Sequence, residues 1–276
     1  MPDLLTVEDH RRDIAGMTYA YPVLSRRAGG ISIGINLNPN NACNWRCIYC
    51  QVPDLTRGGP PPVDLPRLES ELGRLLDDVV AGRFAEAAGR RPIDVAFSGN
   101  GEPTAAREFP EAVAIAQAAL AARGLSGEVK LRLITNGSLI DRAAVRAGIA
   151  RLGRAGGEVW FKLDAATPAA TARINGVRPR IESVERRLAQ CANLCETWVQ
   201  TCVFALDGEA PREPELSALL SLLGRFRGVV AGVHLYGLAR PSRQPEAERL
   251  QRLTPQWLEA FSARIRETGL TVKVSP

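Results

Sequence analysis

Short β-branched or apolar runs alternate with amphipathic stretches along this chain, repeating at intervals of roughly 30 residues, the length of one βα unit. The runs at 31–37, 93–98, 129–134, 158–163, 198–205 and 230–236 are predicted strands. Several are apolar at successive positions, the pattern of parallel strands covered by helices on both faces. Between them, Leu68, Leu72, Leu75, Leu76 and Val79 form one stripe at helical spacing, and Ile181, Val184, Leu188 and Cys191 form another. A last helix opens with Thr254 as N-cap and Pro255 in the first turn, burying Leu258, Phe261 and Ile265. The closing run 270–274 adds a candidate edge strand. Six βα units imply an α/β fold built on a parallel sheet, open or curled into a partial barrel. The loops that follow its strands then gather at one end, where sites on such sheets are found.

Composition narrows the class only slightly. With 45% hydrophobic and 24% charged residues, the 276-residue chain is neither disordered nor a coiled coil. Its net charge of +5 permits a nucleic-acid partner without requiring one. There is no apolar run of membrane-spanning length and no secretory pattern at the start, so the expectation is a cytoplasmic protein without a membrane partner. No linker divides the chain, which reads as an N-terminal extension, residues 1–29, and one domain, residues 30–276.

In a reduced compartment, clustered cysteines point to metal or redox chemistry rather than disulfides. Three of the six cysteines fall in the loop after the first predicted strand, as Cys43-x3-Cys47-x2-Cys50. A structural zinc would want a fourth nearby ligand, and none is present. Three soft thiolates in one compact loop suit three irons of a cubane, leaving the fourth open to a ligand.

After the second strand, Ser98-Gly99-Asn100-Gly101-Glu102-Pro103-Thr104 combines two glycines that permit close backbone approach with a carboxylate able to accept from an ammonium. After the third, Thr135-Asn136-Gly137-Ser138 reads as a turn with Ser138 as a helix N-cap. On the fourth, Lys162 and Asp164 alternate onto one face, as a site pair or a rim salt bridge. His234 is the only histidine on a predicted strand, either an acid–base group or a core residue. Arg240 follows it, placed to meet an anion or solvent. Cys191 and Cys195 continue a core-facing stripe and Cys202 lies in a strand; core thiols are favoured over a second cluster.

The cysteine trio, with Tyr49 just before its last member, resembles the signature of the radical S-adenosylmethionine (SAM) superfamily. The resemblance implies a partial (β/α)6 TIM-like barrel, a [4Fe–4S] cluster on Cys43, Cys47 and Cys50, and S-adenosyl-L-methionine on its open iron. It further implies reductive cleavage to methionine and a 5′-deoxyadenosyl radical that abstracts hydrogen from a substrate. Tyr49, Gly99, Gly101, Glu102 and Asn136 become the expected SAM contacts, with Lys162, Asp164 and His234 as catalytic candidates. A low-potential electron donor of the flavodoxin or ferredoxin type is the expected partner.

Together with SGNGEPT, ITNGS and KLDA, the segment 22–50 is similar to a branch of iron–sulfur oxidoreductases related to the wyosine tRNA-base synthases. No cysteine precedes Cys43, where archaeal members of that branch place a second cluster, so the likeness reaches the radical machinery rather than the substrate. A tRNA base is the candidate substrate, with Arg26, Arg27, Arg46 and Arg57 as a phosphate-tracking rim. A small molecule or a partner protein as substrate, and an electron carrier that does not bind SAM, are the rival readings.

Overall fold

The computed structural model describes residues 16–25, 30–83 and 92–275. Eight strands form one sheet in the order of the chain: β1 (Ala20–Ser25), β2 (Gly30–Ile35), β3 (Pro92–Phe97), β4 (Lys130–Thr135), β5 (Glu158–Lys162), β6 (Glu196–Cys202), β7 (Gly232–Tyr236) and β8 (Val272–Ser275). From β2 onward every pairing is parallel, whereas β1 runs antiparallel to β2. The helices are α1 (Leu65–Val80), α2 (Phe109–Ala121), α3 (Ala143–Arg154), α4 (Pro168–Asn175), α5 (Ile181–Leu194), α6 (Glu213–Gly224) and α7 (Pro255–Glu267). The sheet ends at β1 and β8 without closing, which makes it a partial barrel.

All six expected parallel strands are present near their expected bounds, and the closing run forms β8 beside β7. Thr254 caps α7 by accepting from the Trp257 amide at 3.1 Å. Two expectations need correction. Residues 20–25, assigned to an extension, are a strand of the sheet. Glu71 of α1 secures the start of β1, its carboxylate accepting from the amides of Thr18, Tyr19 and Ala20. Pro22 fits an edge strand, and Gly34 opposite Tyr21 leaves room for that ring, which a Cβ would strike. Ser138 caps no helix. Its amide donates to Asn136 Oδ1 at 3.0 Å, while α3 starts at Ala143.

The strands are also less uniformly apolar than expected. Ile31, Ile33, Ile35, Leu131, Leu133, Val233 and Leu235 are buried in the main core, whereas the alternate positions Ser32, Asp94, Arg132, Lys162 and Gln200 line an internal cavity. One face of the sheet therefore builds the core and the other a polar lumen. The helix-facing half is the part a hydrophobic pattern reads.

Candidate active site

The loop from β2 to α1 carries the three cysteines across the ends of the strands and is held on several sides. Asn38, wholly buried, donates from Nδ2 to the Ala42 carbonyl at 3.0 Å, and Asn36 Oδ1 accepts from the amides of Asn38 and Asn100. Asn44 donates to Ser138 Oγ at 2.7 Å and accepts from Asn136 Nδ2 at 2.9 Å, tying the loop to the turn after β4. On the far side, Ser242 Oγ donates to the Ile48 carbonyl at 2.7 Å, and the Arg243 amide donates to that of Cys50 at 2.8 Å.

Arg46 forks onto Glu246, and Arg57 donates to the carbonyls of Asn44 and Gly176. Both side chains thus have partners within the chain while remaining exposed at the surface. Arg26 and Arg27 lie outside the described residues.

A cavity of about 660 Å³ runs beneath this loop into the lumen. Cys43, Cys47, Cys50, Tyr49, Gly99, Gly101, Glu102, Asn136 and Lys162 all line it. Burial pushes the thiols of Cys43 and Cys47 up to about 11 and about 12, so metal loading must displace protons from them. Among the described residues, no three Cys, His, Asp or Glu side chains converge on a single ion.

Glu102 is buried and accepts from Thr104 Oγ1 at 2.6 Å and Thr135 Oγ1 at 2.5 Å through Oε1. Its Oε2 accepts from the Asn136 amide at 2.7 Å. Burial nevertheless raises its pKa, outweighing those donors. No cationic side chain among the described residues pairs with it. Lys162 is its counterpart. Burial alone would lower its pKa, but Tyr236, Cys47, Asp164 and Cys50 outweigh that and raise it. Its ammonium stands 5.5 Å from the centre of the Tyr49 ring, and among the described residues it forms no ion pair or hydrogen bond. The expected Lys162–Asp164 pair is therefore not a salt bridge.

Asp164 instead accepts from Tyr49 Oη at 2.5 Å, Asn175 Nδ2 at 2.7 Å and the Cys202 amide at 2.9 Å. It braces the tyrosine next to Cys50 from behind and does not face the large cavity. Gly99 and Gly101 owe their identity to packing against the cysteine loop. A Cβ on Gly99 would strike Asn36, and one on Gly101 would strike the Ala42 carbonyl and Asn38.

His234 is placed apart, its ring tilted against both Trp160 and Trp198 with ring centres at 4.5 and 4.7 Å. Below the cavity, Arg132 joins Asp94 and Glu158, and Lys130 reaches Glu158 at 3.1 Å. Arg240 donates to Gln51 at 3.2 Å. Cys191, Cys195 and Cys202 are buried free thiols. The first two join the main core, and Cys202, the last residue of β6, packs with Tyr49 and Phe204.

Sequence reasoning missed Asn44, Asn175, Gln200 and the Asp94–Arg132–Glu158 group. The alternation Lys130, Arg132 within VKLRLI was the one visible sign of a polar lumen.

The profile of the radical SAM superfamily matches residues 37–220, well over half of the chain. A radical SAM methyltransferase from Sphaerobacter thermophilus superposes with a TM-score of 0.58 at 17% identity, covering 94% of this chain and 78% of that one. SuiB from Streptococcus suis, bound to S-adenosylmethionine, superposes with a TM-score of 0.55 at 11% identity, covering 87% of this chain and 45% of that one. Both likenesses are of fold. A curated relative, the GTPase Obg of Brachyspira hyodysenteriae, is 27% identical over 130 residues, which is 46% of this chain and 17% of that protein. No glycine precedes any of the three lysines, so the phosphate-loop motif of GTPases is not in the sequence. The chain thus spans under half the length of SuiB and under a fifth of Obg.

Proposed function

Because the chain belongs to the radical SAM superfamily, whose enzymes use a [4Fe–4S] cluster and SAM, we propose that its lumen binds SAM together with a substrate from which hydrogen is abstracted. One observation carries the reading. Among the described residues, a buried carboxylate that pairs with no cation, Glu102, and a half-buried ammonium that forms no salt bridge, Lys162, line the same cavity as Cys43, Cys47 and Cys50. A zwitterionic ligand satisfies both, and the amino-acid end of SAM is one. The buried carboxylate is costly without a cation, and Lys162, whose charge is favoured by neighbours that form no salt bridge with it, still has its ammonium free to meet a carboxylate; both gain from a complement in a poorly solvated site.

Cys43, Cys47 and Cys50 would hold the cluster, Glu102 Oε2 the ammonium and Lys162 the carboxylate of SAM. When bound, cluster and SAM supply a carbon-centred radical that abstracts hydrogen. The chain's part is to bind, orient and exclude water. Asp164 fixes Tyr49 and Asn136 is fixed by Asn44, so the groups around the reacting atoms are held in place before a ligand enters.

The chemistry needs a reductant, and a low-potential flavodoxin or ferredoxin is the proposed donor. The proposed substrate is a group of nucleobase size that enters the lumen, with tRNA as the first ligand to test. Gln200, whose Oε1 is buried without a hydrogen-bond partner, lines the lumen as an acceptor for it.

The deciding assay is anaerobic. Reconstituted protein given SAM and dithionite should release 5′-deoxyadenosine and methionine, and Cys47→Ala should release neither. No product from the wild type, or equal product from the variant, overturns the reading. Binding of tRNA that is flat with added salt would remove tRNA as partner.

A further inference from the structure

Asn175 belongs to none of the sequence motifs, yet it touches a cluster cysteine. It is the last residue of α4 and is 1% exposed. Gly176, at φ +67°, ends the helix in the left-handed region and turns the chain beside the cysteine loop. The backbone then pairs with that loop on both sides of Cys47. The Arg46 amide donates to the Asn175 carbonyl at 3.1 Å, and the Ile48 amide donates to that of Ile174 at 2.9 Å.

The side-chain Nδ2 carries two hydrogens, and the structure uses both. One goes to Asp164 Oδ2 at 2.7 Å and the other to Cys47 Sγ at 3.3 Å. The amide cannot be turned the other way, because its oxygen would then face a carboxylate. Asp164 is itself fixed by Tyr49 Oη and the Cys202 amide, so the donor is aimed at sulfur by a braced chain of bonds.

We propose that Asn175 is a positioning residue that raises the reduction potential of the centre bound through Cys47. The inference rests on the cluster reading of the three cysteines. Reduction adds a negative charge that spreads onto the cysteine sulfurs, and an N–H donor at sulfur stabilises the more negative state. Burial strengthens that bond, since no water competes for the sulfur. The centre is thereby brought within easier reach of its electron donor.

The test compares reconstituted wild-type protein with Asn175→Leu, which keeps the branched shape and removes the donor, by EPR-monitored redox titration. The variant should retain its iron and show a more negative midpoint. At a fixed potential, its reduced-to-oxidised ratio should fall about tenfold, equal to about 59 mV for one electron. A bound cluster with an unchanged or more positive midpoint overturns the proposal.

If Asn175→Leu holds no cluster, the wild type decides. With 15N in its asparagine side chains, the reduced cluster should show hyperfine coupling to an amide nitrogen in pulsed EPR, and its absence overturns the proposal. A wild-type chain that binds no iron overturns instead the reading of Cys43, Cys47 and Cys50.

Discussion

Replacing Arg132 with methionine would test whether the lumen floor is an integral part of the fold. Its guanidinium is shared between Asp94 and Glu158, with side-chain exposures of 16%, 4% and 8% for Arg132, Asp94 and Glu158. The substitution strands two buried carboxylates, leaving Lys130, 40% exposed, as Glu158's one remaining charged neighbour at salt-bridge distance among the described residues. Removing one partner of a buried pair costs about 3–5 kcal/mol. For a chain of this size that lowers Tm by about 6–20 °C.

Neutralising the stranded groups as well, with Asp94→Asn and Glu158→Gln, should restore more than half of the loss, because a neutral buried set avoids the desolvation cost. Acid should narrow the gap. Burial would raise Glu158, but Arg132 and Lys130 outweigh it and hold its pKa below the ordinary glutamate value. Its stabilising contribution is therefore complete above the unfolded value of about 4.3 and is lost as pH falls through the folded one. Wild type and Arg132→Met should converge in urea unfolding below about pH 4. A cost for Arg132→Met under about 1 kcal/mol at neutral pH, the range of exposed bridges, would refute the reasoning.

Two further expectations concern the site. Glu102→Gln, at matched iron content, should weaken SAM binding about 10- to 100-fold in equilibrium dialysis, the worth of a charge-assisted hydrogen bond; unchanged affinity would remove Glu102 as the ammonium partner. Cys191→Ala and Cys195→Ala should keep the wild-type iron content and lose about 0.5–3 kcal/mol in urea unfolding, whereas lost iron would show that these thiols bind metal.

The parts legible from sequence were those written in local periodicity or spacing. Parallel strands show as apolar runs, α1 and α5 as stripes, and α7 through a cap and proline that act within one turn. The cysteine trio is legible because its spacing is short enough to be chemistry by itself. The strand at 20–25 was missed because an edge strand with a proline lacks a strong run, and its anchor, Glu71, lies 51 residues from Ala20. The polar lumen was missed because an alternating strand shows which residues share a face but not which face encloses a cavity.

What the sequence by itself determined is the class of chemistry and the order of the βα units. Tertiary structure alone decided which charges lack partners and which are already satisfied. It gave Arg46 and Arg57 partners within the chain, left Glu102 and Lys162 without salt bridges among the described residues in one cavity, set His234 against two tryptophans, and brought Asn175 to Cys47 across 128 residues. Partnership between side chains depends on distance in space, and composition and spacing carry no record of that once the residues lie on different elements.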